Sequence, residues 1–167
     1  MAKRSYERII ALVLEASRLA KAMGIPNLLQ PGLVKEMIIA EILGHELITS
    51  KRDSDARDSE NPHIVYEYLT CKEGGSGQFD RMFKSPAEKR EQSLTRIRRN
   101  SKIYLAIFYA EDQTKVKTIY ELEPNSVEKE TIRRLGNSRN NISHVGFSER
   151  WARENGIVVF SDNQDTY

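Results

Sequence analysis

Two short stretches of this chain carry residue types suited to chemistry on phosphate esters. The first is an acidic turn: Ser54, Asp55, Ala56, Arg57, Asp58 and Ser59. The second is an alternating segment that runs from Tyr66 and Glu67 through Tyr68, Leu69, Thr70 and Cys71 to Lys72. Cleaving a phosphodiester takes a divalent cation, which polarises the phosphate and lowers the pKa of water. Such a cation takes hard oxygen ligands, above all carboxylates. A nearby lysine then offers positive charge to the pentavalent transition state or helps to deprotonate the water. Asp55 is the candidate ligand and Lys72 the candidate lysine, with Glu36 from a preceding helix as a further acid. The usual form of this site is an acid, any residue, then lysine, and here the place two before Lys72 holds Thr70. A solvated aspartate followed by an exposed strand lysine would give the same pattern, so the pattern alone is weak.

The elements that must position these groups follow from periodicity. Residues 5–23 predict a helix whose apolar positions, Ile9, Ile10, Val13, Leu14 and Leu19 among them, cover more than half its circumference. Gly24 and Pro26 end it. So wide a stripe implies burial against the domain and against a second surface, a dimer partner being one candidate and a fully packed core helix the other. A second helix is expected over 31–43, ending at Gly44, and a strand over 46–50. The next strand, 63–72, sets Tyr68, Thr70 and Lys72 on one face and Glu67, Leu69 and Cys71 on the other. Gly74, Gly75, Ser76 and Gly77 read as a loop. Ser85, Pro86 and Glu88 read as the start of a third helix that reaches about residue 100, with Ser85 as its N-cap. Residues 103–109 form a buried central strand with 116–122 as its hairpin partner. A fourth helix, with Glu128 near its start, runs to Gly136, and a short strand at 157–160 ends the order. The fold class expected is α/β, a mixed central sheet flanked by helices, in one domain.

With 167 residues, 39% of them apolar and 30% charged, the chain suits a single globular domain. No apolar run approaches the length of a membrane span, and the charged first residues do not form a secretory leader, so a cytoplasmic protein is expected. Cys71 is the single cysteine, which excludes an internal disulfide and a cysteine-rich zinc site. Cys71 itself reads as a small core residue, Trp151 as packing, and His45 and His63 as structural. Net charge is only +2, but Arg90, Arg96, Arg98, Arg99 and Lys102 concentrate in the middle while acids gather in 53–60. Basic surface around an acidic pocket is what a DNA-cutting enzyme needs, and a solvated surface of mixed sign would look similar.

Over residues 17–160 the chain resembles the type II restriction endonucleases of the PD-(D/E)xK superfamily. The likeness runs through Leu19, Ala20, Gly24, Ile25, Leu29 and Gln30, then Asp55 and Asp58, then Glu67, Tyr68 and Lys72. It is strongest at Ile107, Phe108 and Tyr109 and from Ile119 to Pro124, and it takes in Asn140 and Asn141. The resemblance implies a restriction-endonuclease-like core and a homodimer, with the first helix as its dimerisation element. It implies Mg²⁺-dependent cutting of both strands of double-stranded DNA at a short palindrome. It gives Asp55 as the first metal-binding acid, Lys72 as the catalytic lysine, the Cys71 backbone carbonyl as a metal ligand, and Thr70 where the second acid belongs. Glu36 is the preferred replacement for that acid; a bulge that turns Glu67 inward is the other repair, and loss of catalysis a third possibility. The base-reading segment would be Gln78, Phe79, Asp80 and Arg81, with Asn140 and Asn141 near His144. Asparagine and glutamine suit the edge of adenine and arginine that of guanine. The asparagines read equally well as a turn. The arginines at 96–99 would hold phosphates. A repair or recombination nuclease of the same fold, or a DNA-binding protein with a degenerate site, are the alternatives.

Overall fold

The computed structural model of the chain describes residues 5–50 and 54–162. The charged lead-in at 1–4 and the acidic residue Asp53 lie outside the described residues.

Helix α1 (Glu7–Ala22) is followed by Gly24 at a φ of 82°, whose N–H bonds back to the Lys21 carbonyl. Only Ala20 of this helix is buried, in a small cluster with Ile25 and Leu33. Ile9, Ile10, Leu12, Leu14 and Leu19 remain exposed, so the stripe does not pack as a core helix would. Helix α2 (Leu33–Leu43) is bounded by two left-handed glycines, Gly32 and Gly44. Strands β1 (His45–Leu47), β2 (Ala56–Asp58) and β3 (Val65–Lys72) form an antiparallel meander. Strand β4 (Ser76–Phe83) and helix α3 (Ala87–Arg98) then make the crossover that lets β5 (Lys102–Phe108) lie parallel to β3. Strand β6 (Val116–Leu122) returns antiparallel to β5. Helix α4 (Pro124–Asn137), strand β7 (Ile142–Ser148), helix α5 (Glu149–Asn155) and strand β8 (Gly156–Ser161) complete the chain.

The result is α/β, as expected: a six-stranded mixed sheet in the order β1-β2-β3-β5-β6-β8, flanked by helices. Strand β5 is buried on both faces, as a central strand with helices on either side must be. Ile103, Leu105 and Ile107 pack with Ile97 of α3 and with Val127 and Leu135 of α4. Tyr104, Ala106 and Phe108 pack on the other face with Ile39 and Ala40 of α2. Strand β3 follows suit, with Leu69 and Cys71 on the α3 side and Tyr66 and Tyr68 on the α2 side. Among the described residues no helix is long and apolar enough to cross a membrane.

Strands β4 and β7 form a separate two-stranded ribbon. This corrects the loop expected at 74–77, since Ser76 and Gly77 already belong to β4. A Cβ on Gly77 would sit 2.5 Å from Leu105 Cδ1 and 2.8 Å from Leu69 Cβ. The glycine is there because the ribbon crosses the sheet closely, not because the chain turns. Ser85 is not the N-cap of α3; that place is taken by Pro86, and the Ser85 hydroxyl donates to Asn141 Oδ1 instead. The strand expected at 46–50 is shorter and begins at His45. His45 and Trp151 are structural, as read: His45 stacks on Tyr66 with its Nδ1 2.8 Å from the Tyr68 hydroxyl, and Trp151 packs against Phe147.

Candidate active site

Asp55 stands where β2 begins. Its N–H bonds to the Tyr66 carbonyl, and its Oδ2 accepts the Tyr68 N–H at 2.7 Å. The carboxylate thus takes the place a strand carbonyl would hold at the edge of β3. The register pairs Ala56 with Tyr66, so one step further Asp55 lies beside Glu67. The acidic turn is anchored from the other side. Ser54 is buried and donates to Asn100 Oδ1 at 2.6 Å, while Asn100 Nδ2 bonds the Arg96 and Ile97 carbonyls at the end of α3.

Three carboxylates feel one another here. Burial raises the Asp55 carboxyl above its ordinary value, opposed by the Tyr68 N–H and by the Arg99 charge. Burial raises Glu67 as well, the Asp55 charge adds to this, and Arg99 and Arg96 oppose it. Glu36, in the first turn of α2, is raised to about 7, first by burial and then by Asp55. The Glu67 side chain is 15% exposed, and its Oε2 is buried with no hydrogen-bond partner among the described residues; Arg99 Nη2 lies 3.7 Å away. Glu36 and Asp55 also line a cleft of about 380 Å³ with Asn27, Gln30 and Thr49.

Among the described residues no three acidic, histidine or cysteine side chains stand close enough together to enclose a cation as they are placed. In donor type and charge the acids nevertheless fit a hard divalent cation. A buried carboxylate oxygen that accepts no hydrogen bond, beside two carboxyls that resist ionisation, is the situation a bound dication would relieve.

The remaining expected residues divide. Lys72 is exposed at the far end of β3, four residues beyond Tyr68, about 13 Å along the strand and out of bonding reach of Asp55. Thr70 is half-buried between them, and Cys71 packs in the core with its thiol pushed up to about 11 by burial. The register of β3 on β5 runs unbroken from Tyr66 to Lys72, so no bulge exists. The bulge is corrected accordingly: Glu67 lies beside Asp55 by plain strand pairing, while Thr70, Cys71 and Lys72 follow further along β3.

The expected base-reading segments do come together, on the ribbon. Gln78 is exposed opposite Gly146, and the β4–β7 register slips between Phe79 and Met82. The slip sets Asp80 and Arg81 against His144. Asp80 Oδ1 lies 2.7 Å from His144 Nδ1, and Arg81 takes the left-handed φ of 51°. All three are exposed, as are Asn140 and Asn141 at the ribbon's end. Phe79 is the exception: it is 1% exposed, packs against Phe147 and cannot touch a ligand. Arg96 Nη1 donates to the Asp80 carbonyl at 2.8 Å and so ties ribbon to α3. Arg98 is held by Glu91 and Glu128. Sequence reasoning missed Ser54 and Asn100, whose roles appear only once the turn meets the helix.

No protein-family model matches the chain, and no curated protein matches it significantly.

Proposed function

We propose that the protein is a cytoplasmic, Mg²⁺-dependent endonuclease with a restriction-endonuclease-like core, a homodimer that cuts both strands of double-stranded DNA at a short palindrome. The observation that carries this is the buried pairing of Asp55 with Glu67 near the start of β3, with Glu36 on the same cleft as Asp55 and a Glu67 oxygen that accepts no hydrogen bond among the described residues. The sequence resemblance supports the same reading independently.

Asp55 and Glu67, with Glu36 across the cleft, would hold the cation, which when bound lowers the pKa of water and polarises the phosphate. The backbone of Tyr68 orients the Asp55 carboxylate, and the Ser54–Asn100 bond fixes the turn that presents it. Once ionised, the carboxylates orient the attacking water by hydrogen bonding. The ribbon offers Gln78, Asp80, Arg81, Asn141 and His144 on one exposed surface, donors and acceptors of the kind that read base edges. A two-fold dimer presents two such ribbons to two half-sites. The unpartnered apolar stripe of α1 is its natural seam, because a soluble monomer rarely leaves so large a patch open.

Plasmid digestion tests the reading. Discrete fragments that require Mg²⁺ and disappear with Asp55→Asn support it. Non-specific degradation would point to a repair-type nuclease. The distance of Lys72 from the acids favours one second reading, a sequence-specific DNA-binding protein without cleavage. Tight binding to one sequence with no cutting in Mg²⁺ or Mn²⁺ would establish that instead.

A further inference from the structure

Hydrolysis of a phosphodiester develops negative charge on the phosphoryl oxygens, and a preorganised cation stabilises it. The strand does not present one. The position two beyond Glu67 is Leu69, buried in the core, and Lys72 lies at the far end of β3. The basic groups that act on the acids, Arg96 and Arg99, stand in the last turn of α3 and at its C-cap. Arg96 is occupied with the Asp80 carbonyl and lies over the Phe79 ring, and Arg98 is held by Glu91 and Glu128. Arg99 lies against the acids. Its Nη2 lies 3.7 Å from Glu67 Oε2, and its charge acts on both Asp55 and Glu67. Its side chain is 32% exposed, so it borders solvent on one side and the acids on the other. Its neighbour Asn100 is buried and bonded to Ser54, the residue before Asp55, so the arginine and the aspartate are anchored through one hydrogen bond.

The geometry points to Arg99 as the group that contacts the scissile phosphate and supplies the positive charge that a strand lysine would otherwise supply. This rests on the nuclease reading. In the step itself the water oxygen forms a bond to phosphorus as the bond to the leaving sugar oxygen breaks. The water loses a proton to solvent and the leaving alkoxide takes one up. The guanidinium neither gains nor loses a proton, so Arg99 acts through charge and hydrogen bonds alone.

Single-turnover cleavage and DNA binding, measured on one duplex with Arg99→Ala, Arg99→Gln and Arg99→Lys, test it. Loss of one such donor is expected to lower the rate about 100- to 1,000-fold. Because many contacts share the binding energy, the Kd should rise by less than about tenfold. Arg99→Lys should keep at least about ten times the rate of Arg99→Ala, since it retains the charge without the fork. Thermal melting identifies any variant that fails to fold, and the lysine and glutamine forms then carry the comparison. Cleavage by Arg99→Ala within about threefold of the parent would overturn the inference while leaving the nuclease reading intact. A parent protein that cuts no DNA in Mg²⁺ or Mn²⁺ removes the nuclease reading and this inference together.

Discussion

Glu67→Gln should change how stability depends on pH, before any DNA is involved. Burial holds the Glu67 carboxyl at about 8 against an ordinary 4.5, with Asp55 adding to the shift and Arg99 opposing it. At about 1.4 kcal/mol per pH unit, that separation caps the effect at about 5 kcal/mol. Asp55 titrates with Glu67 as one system, so roughly half, about 2–3 kcal/mol, is expected from Glu67 itself. The sign follows from which state holds the proton. Between pH 4.5 and about 8 the folded protein keeps a proton that the unfolded chain releases. The associated stability is therefore fully present below the lower value and lost as pH rises through the upper one. Glutamine carries no such proton. In urea denaturation without divalent cation, the parent should lose about 2–3 kcal/mol more than Glu67→Gln between about pH 5 and pH 8.5. Millimolar Mg²⁺ should return part of that loss to the parent and little to the variant. Parallel pH curves would refute the reasoning, and would mean that Arg99 keeps Glu67 ionised throughout.

Ser54→Ala leaves the buried Asn100 Oδ1 without its donor, at a cost of about 1–3 kcal/mol in chemical denaturation, and it should slow cleavage as well by loosening the Asp55 turn. Arg81→Ala and Asn141→Ala should each weaken binding to the cognate duplex by about 1–3 kcal/mol and leave random DNA unaffected. Equal losses on both duplexes would show that the ribbon only positions the backbone. Asp at both Ile10 and Leu14 should convert a dimer to monomer in sedimentation, and a parent already monomeric at micromolar concentration, with and without DNA, contradicts the α1 seam.

The parts of the fold legible in the chain were those with strong local signals. The bounds of α2, the largely apolar β5 and the hairpin to β6 lie close to where periodicity and glycine placement put them. Alternation along β3 also set Tyr68 on one face and Leu69 and Cys71 on the other, as they pack. What alternation could not say was which face met the acidic turn, because that is decided by the pairing of β2 with β3 across a loop. Lys72 ends the strand, whereas Asp55 and Glu67 meet near its start, where the Tyr68 N–H donates to Asp55. Glycine and serine made the start of β4 look like a turn, since the reason for Gly77 is a contact with Leu69 and Leu105. The seven-residue α5 was missed outright, being too short to show a helical period. Arg81 carries no sequence sign of its left-handed backbone, which arises where the two ribbon strands fall out of register.

The ribbon shares no ladder with the six-stranded sheet that carries the acids. Its outward side chains can therefore drift, and its tip can lengthen or shorten, without shifting a single hydrogen bond around Asp55. Gly77 is the pivot that such drift must spare, because any side chain there would push the ribbon off Leu105 and lift it away from the sheet. A lineage built this way can explore new targets while its chemistry stays put, and a library randomised at 78, 80, 81 and 144 with Gly77 held constant would exploit the same separation.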